Sequence, residues 1–414
     1  MVLAARRDLT QWQALMGEEA PGLGRPVEVV DLNGLALLPE SAPVVLVTTH
    51  TDLTPALYVR QVLYRPDWPV SGMTHDLSDP EVFQRLVLAH ASGLRPGDSI
   101  ICCSRAAMSA LERLSAHACS LVRTDDVLRF PVVPHGLDLT TCLRHDRRSS
   151  RAEMGLHRDA CALLYFGRIH RGSKADLHGL IGTFANTALP SDTQLVIAGG
   201  SGPRDEDYLR ELRQFAQLSG TGAAISFFPN PAPALKQRLF SAADIFVSPA
   251  NSLQESFGLT LLEAMAYGLP VVATNWSGYR DIVVDQVTGY LTPTRFDPNA
   301  AHAFRELPIG GRADFHSVLS EQVQVDLDAL SQQLHALCTD RALRERLGAE
   351  GEKRLARRFL LDDVVQRYQA VWREMRELAS ATPAPDRSIP PCVDFLKVFS
   401  GHASNQHQDE HELM

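Results

Sequence analysis

The chain has 414 residues, with 40 lysines and arginines against 49 aspartates and glutamates and a formal charge of −9. Hydrophobic residues make up 45% of it, an ordinary globular content, and the length suits two or three domains. The acidic balance argues against wholesale binding to nucleic acid, and no apolar run reaches the ~18 residues that a membrane-spanning helix needs.

The first forty residues carry weak signals: a short helix at 8–16, a loop at 21–26 and a strand at 27–30. No apolar stretch follows Met-Val-Leu-Ala-Ala-Arg-Arg-Asp, so no secretory signal is expected. A buried strand is expected at 44–47, then a helix at 56–62. A second strand runs through Trp68-Pro-Val-Ser-Gly-Met-Thr-His75-Asp76, with a helix at 80–90 after it. A third strand at 99–104, a helix at 105–114 and a short strand and turn at 130–138 complete an alternating α/β layer. Residues 141–158 hold five arginines and few apolar residues, the composition of an inter-domain linker.

A second α/β layer follows. Its expected strands are 161–166, 194–198, 224–228, 244–247, 271–273 and, last, 289–291; its helices are 174–186, 205–218, 233–241 and 259–267. From 323 onward the pattern is helical, with a charged helix at 341–359. Another follows at 362–378, bearing Val365, Tyr368, Val371 and Trp372 on one face. The domains are therefore 1–150, joined by the helix at about 362–378; 151–361; and a polar tail at 379–414 that reads as disordered. In that tail His402, His407 and His411 read as solvated, and Phe395-Leu-Lys-Val-Phe399 is an apolar island. The seven cysteines, Cys102, Cys103, Cys119, Cys142, Cys161, Cys338 and Cys392, are odd in number and scattered, with no Cys-x-x-Cys. That pattern points to reduced thiols and a cytoplasmic protein, with neither a disulfide framework nor a zinc site.

In open parallel sheets ligands bind outside the carboxyl ends of the strands, so the residues that follow each strand carry the chemistry. Glu255-Ser-Phe257-Gly258-Leu259-Thr260-Leu-Leu-Glu263 spans a loop and the helix after it. A helix start presents unpaired N–H groups and partial positive charge, which attract anions. Gly258 lets a ligand approach the backbone, and Glu263 lies about 6 Å along the helix from Leu259. A ligand with an anionic middle and hydroxyl-rich ends, such as a nucleoside diphosphate sugar, fits these features. Gly167, Arg168 and Lys174 follow the strand at 161–166. Gly199, Gly200 and Gly202 follow the next strand, and Pro229-Asn230-Pro231 the one after.

Glu255-x7-Glu263, with Phe257-Gly258-Leu259 between, resembles the signature of family 4 retaining glycosyltransferases of the GT-B fold. That resemblance implies two Rossmann-like parallel-sheet domains facing a cleft, with a C-terminal helix crossing back to the first. It implies that Glu255 meets the donor sugar, that Phe257, Gly258, Leu259 and Thr260 meet sugar and phosphate, and that Glu263 holds the ribose. It further assigns Gly167, Arg168 and Lys174 to the donor diphosphate, Gly200 to a turn beside the nucleoside and Asn230 to the base. His75 matches a histidine near the donor sugar, though the residue fits a core or cap role equally well. Three departures stand out. One extra residue separates Arg168 from Lys174, and Ala175 follows where glycine is usual. Pro231 has no N–H to offer a base. The family's glycine-rich loop after its first strand has only Pro21-Gly-Leu-Gly24 as a faint counterpart, so the acceptor side looks shortened or diverged.

The resemblance implies transfer of a sugar from a nucleoside diphosphate sugar to an acceptor hydroxyl with retention of configuration. No Asp-x-Asp lies in a plausible donor site, so neither a metal nor another cofactor is expected; Asp205-Glu-Asp207 reads as a helix cap. The acceptor would be a glycan, a lipid-linked molecule or a small molecule, with peripheral membrane contact and oligomeric state left open. Two other readings remain: a non-catalytic partner subunit that keeps the donor fold, and a GT-B-like sugar phosphorylase or epimerase. A nicotinamide oxidoreductase is disfavoured because Gly199, Gly200 and Gly202 lack the Gly-x-Gly-x-x-Gly spacing.

Overall fold

Six short apolar runs form the larger sheet: β6 (Ala162–Phe166), β7 (Gln194–Gly199), β8 (Ile225–Pro229), β9 (Ile245–Ser248), β10 (Val271–Thr274) and β11 (Gly289–Thr292). Helices cover both faces, so these strands read as near-continuous hydrophobic runs and not as alternating ones. All neighbours are parallel in the order β11-β10-β9-β6-β7-β8. The chain therefore winds one way from β6 to β8 and the other way from β9 to β11. The reversal falls between β6 and β9, and a crevice opens beyond their carboxyl ends. The computed structural model describes residues 2–3, 29–30, 32–39, 41–75, 77–125, 128–172, 174–296 and 318–383.

A smaller parallel sheet precedes it, β3 (Leu46–Val47), β4 (Val70–Met73) and β5 (Ser99–Ile101), flanked by the helices Thr54–Val62, Pro80–Ala91 and Arg105–Val122. A pair of two-residue strands, β1 (Val2–Leu3) and β2 (Val29–Val30), lies apart from it. The helix Leu361–Ala381 begins beside Leu137, whose backbone N–H donates to Phe359 and whose carbonyl accepts from Leu361. It then lies on the smaller sheet, where the Trp372 indole donates to Ser71 Oγ at 3.1 Å. One apolar core runs from Leu53, Val70 and Leu111 through Leu137 to Phe257, Leu261 and Phe359, joining the two layers. A second, with Leu163, Tyr165, Ile197, Leu330 and Leu334, fills the far face of the six-stranded sheet.

Several expectations are corrected. The strand at 44–47 is only half-buried and shrinks to β3, because it lies at a sheet edge with one described neighbour. The helix expected at 105–114 continues to Val122. The segment 130–138 makes only isolated bridges, Cys102 to Val132 and Leu137 to Leu360. The helix expected from 174 starts at Leu177, because Asp176 caps it by accepting from the backbone N–H of His178. Lys174 thus stays in a loop. The strand at 289–291 is not the last: β12 (Thr294–Phe296) pairs antiparallel with β13 (Val323–Val325), and the helical stretch begins at Leu327. The arginine-rich 141–158, expected as the inter-domain linker, is itself structured. It contains the helix Arg147–Glu153, and buried Asp244 takes both Arg147 and Arg151. Arg151 also donates to the carbonyls of Ala242 and Ala160, both at 2.9 Å. Residues 379–381 complete the last helix instead of opening the tail. The helix at 8–16, the loop at 21–26, Pro21-Gly-Leu-Gly24, Asp76, Cys392 and the rest of the tail, with its histidines and apolar island, lie outside the described residues.

The smaller sheet hangs on one buried ion pair. Asp98 is fully buried and accepts from Arg60 at 2.7 Å, from the backbone N–H of Val70 at 2.8 Å and from that of Arg95 at 2.8 Å. Asp98→Ala would strand a buried guanidinium and two N–H groups, at an expected loss of about 3–5 kcal/mol. Denaturant unfolding of wild type and variant measures this directly.

Candidate active site

The loop after β9 and the helix Leu259–Ala266 stand at the crevice. Gly258 has φ +115°, a backbone that L side chains rarely adopt, and an added Cβ would meet the Tyr279 ring at 2.5 Å. At Gly278 an added Cβ would meet the Ser256 carbonyl at 2.3 Å. The loops after β9 and β10 therefore touch backbone to backbone. This contact turns Glu255 inward, where it is only 8% exposed. Its Oε2 pairs with Lys174 Nζ and accepts from the Tyr279 hydroxyl at 3.1 Å, and its Oε1 faces the Phe257 N–H at 3.4 Å. Lys174 reaches this position because its loop is pinned to the same segment. Ala175 bridges Ala250, and the Lys174 carbonyl accepts from the backbone N–H of Asn251.

Arg168 is exposed, and its guanidinium donates to Gln254 Oε1 at 3.0 Å. Gln254 and Glu255 thus take the two cations side by side. Buried Tyr165 shapes the Gly167–Arg168 turn by donating to the Arg168 carbonyl at 3.0 Å. One helix turn beyond Gly258, Glu263 Oε1 accepts from Lys236 at 2.6 Å, and the lysine lies 5.1 Å from the centre of the Phe166 ring. Glu263 Oε2 and Thr260 Oγ1 are buried and have no hydrogen-bond partner among the described residues. Two unsatisfied polar atoms on one side of a helix start are a place for ligand hydroxyls. Leu259, at the first helical position, is 47% exposed.

Beyond β7 and β8, the glycine turn and Asn230 hold each other. The Asn230 amide accepts from the Ser201 N–H at 2.9 Å and donates to the Ser201 carbonyl at 2.7 Å. Its side chain thus braces the turn, with φ +50° at its own backbone. Gly199, not Gly200, is the glycine that the turn demands. Gly199 has φ +136° and an added Cβ would lie 1.8 Å from the Gly167 carbonyl, whereas a Cβ at Gly200 meets nothing.

The smaller sheet contributes by contact. Ser256 Oγ donates to the His75 carbonyl at 3.0 Å, and the Ser256 carbonyl accepts from Ser104 Oγ at 2.8 Å. His75 is exposed and meets the loop through its backbone. His135 packs edge-on against Phe257 with ring centres 5.0 Å apart. Burial, and then the nearby His75, hold the His135 imidazole below the ordinary histidine range. The sequence-predicted residues therefore fall into three groups: Glu255 with Lys174, Arg168, Gly167, Phe257, Gly258 and His75; Glu263 with Thr260 and Leu259; and Gly200 with Asn230. Sequence reasoning missed Tyr279, Lys236, Gln254 and His135 as site residues. Lys236 had a readable signal, since it sits in the first turn of the helix that follows β8.

A family model described as glycosyl transferases group 1 matches residues 146–307. The chain is 34% identical over 197 residues to a D-inositol 3-phosphate glycosyltransferase of Mycobacteroides abscessus, covering 47% of this chain and 42% of that protein. It is 35% identical to one of Geodermatophilus obscurus, covering 44% and 40%. The chain thus spans less than half the length of these relatives. Its fold is similar to that of Anabaena Alr3699/HepE, solved with UDP and glucose, at a TM-score of 0.60 and 18% identity over 88% of this chain and 89% of that one. It is also similar to sucrose-phosphate synthase of Thermosynechococcus elongatus, at 0.58 and 20% over 91% and 79%. The two-sheet architecture is accordingly GT-B.

Gly199→Ala should destabilise the protein by about 3 kcal/mol or more, because backbone must move, while Gly200→Ala should stay within about 1 kcal/mol of wild type. Thermal unfolding distinguishes them. A second expectation concerns acid. The unfolded chain binds a proton at His135 more readily than the folded one, so stability falls as pH drops through the ordinary histidine range. His135→Phe should flatten that loss between about pH 7 and 5, measured by denaturant unfolding at each pH.

Proposed function

We propose that the chain is a glycosyltransferase, on the footing of the glycosyl transferases group 1 model that matches residues 146–307. It moves a sugar from a nucleoside diphosphate sugar to an acceptor hydroxyl. The observation that carries this reading is the clustering of Glu255, Lys174 and Arg168 at one loop, in front of a helix start that offers free N–H groups and buried, unsatisfied Thr260 and Glu263 oxygens. The diphosphate would lie against Arg168, Lys174 and the Leu259 helix start, which together stabilise the charge that grows on the departing nucleotide. That cationic set does the work a divalent ion would do, which is the basis for a metal-independent reaction. Glu263 and Thr260 would take the ribose hydroxyls, and Glu255 the sugar hydroxyls. The acceptor oxygen attacks from the face the nucleotide leaves, the diphosphate takes its proton, and configuration is retained.

UDP is the first nucleotide to test, since structures similar in fold hold it. The acceptor, whether glycan, lipid-linked or small molecule, would enter from the side of the smaller sheet, near His75 and His135. We propose a cytoplasmic location, on the scattered, odd-numbered cysteines of the sequence.

Thermal melting against UDP, GDP, ADP and UDP-sugars tests the donor site. A nucleotide at ~100 times its dissociation constant should add about 2.7 kcal/mol, and Glu263→Ala should lose that gain. Glu255→Gln should keep the nucleotide but lower transfer by ~100-fold or more. The absence of any nucleotide-dependent shift in wild type would sink the reading.

A further inference from the structure

We propose that Tyr279 is a positioning residue for Glu255, holding the carboxylate in place when Lys174 turns to the donor diphosphate. The inference rests on the transferase reading above. Tyr279 is completely buried, and its ring lies directly under Gly258, where even a methyl group has no room. Its hydroxyl accepts from Ser248 Oγ at 2.7 Å and donates to Glu255 Oε2 at 3.1 Å. Ser248 is the last residue of β9 and is itself fully buried. The phenol oxygen is therefore fixed from two sides, by a strand end and by the packing beneath the loop. Burial and then the neighbouring Glu255 charge push this phenol well above the ordinary tyrosine range, so it remains a donor at any working pH.

The same Glu255 oxygen has two partners of unlike mobility. Lys174 is a long chain on a loop, and its ammonium also stands 5.7 Å from the centre of the Tyr279 ring. An arriving diphosphate competes for that ammonium, which carries a full charge and can rotate. It cannot compete for a phenol sealed behind the loop. Once Lys174 moves, a carboxylate without the phenol would keep only the long Phe257 N–H contact at 3.4 Å on its other oxygen, too weak a bond to stop it turning away from the sugar. The Tyr279 bond keeps it aimed, and a hydrogen bond to a charged acceptor is among the stronger ones.

The test removes one oxygen. Tyr279→Phe keeps the ring under Gly258 and should fold normally. With the UDP-sugar chosen by melting, kcat should fall roughly tenfold while KM and the dissociation constant of UDP stay within about twofold. Ser248→Ala, which frees the other side of the phenol, should lower kcat less and in the same sense. A thermal-unfolding cycle of Tyr279→Phe, Glu255→Gln and the double variant gives a readout that needs no turnover. The midpoint shifts should be non-additive by about 1–2 °C. Unchanged kcat in Tyr279→Phe, or additive midpoints, overturns the assignment. Failure of wild type to turn over any sugar nucleotide strikes the transferase reading instead, and the unfolding cycle still decides the Tyr279–Glu255 pair.

Discussion

Everything at the candidate site depends on two loops of the larger sheet approaching to backbone contact. The turn at Gly278 lies so close to Ser256 that no side chain fits between them. This pins the 255–258 segment against the end of the sheet, and three consequences follow from one contact. Glu255 turns inward to meet Lys174 and Tyr279. Gly258 adopts a left-handed backbone and hands the chain over to the helix start. Ser256 is left facing the smaller sheet, where it bonds to both Ser104 and His75. The same four residues thus shape the end of the larger sheet and join it to the first layer.

Two of the buried ion pairs among the described residues serve different ends. Asp98 has its oxygens filled by a guanidinium and two backbone N–H groups, and it stands far from the crevice, so it ties strands together. The Lys174–Glu255 pair is nearly as sheltered, at 13% and 8% exposed. Each of its members, however, has hydrogen-bonding capacity left for a ligand. Desolvating two charges costs about as much as their attraction returns, so such a pair adds little to stability. Its value lies in keeping both groups charged, paired and near the place where a diphosphate and a sugar would arrive.

The site was readable in the sequence wherever chemistry and chain order coincide. Arg168, Lys174, Glu255 and Gly258 lie in loops that follow strands, and Glu263 in the helix that one of these loops enters, so the rule that ligands gather at strand ends points to them without coordinates. Tyr279 could not be found that way. Its hydroxyl acts across the sheet on a residue 24 positions earlier, and only the packing of two loops brings them together. The arginine-rich stretch is more ordered than its composition suggests, for a related reason. A run of charges ordinarily marks a solvated segment, but Asp244, far along the chain, reaches back to Arg147 and Arg151 and makes theirs a structural segment. Short antiparallel strands such as β12 and β13 carry too few residues to show a period.

The route of the last helix has a consequence for how the protein is made. Strands β3 to β5 leave the ribosome before the larger sheet, yet one covering element, with Trp372 on Ser71, is about three hundred residues away in the chain. The layer of the larger sheet can assemble as soon as its own strands and helices are synthesised. The N-terminal layer must wait, with part of its sheet uncovered, until residues near the end of the chain emerge. Contacts of such long range are slow to form, and the waiting surface is open to chaperones and to misassociation. The smaller-sheet layer is therefore made before the larger one yet completes its folding after it.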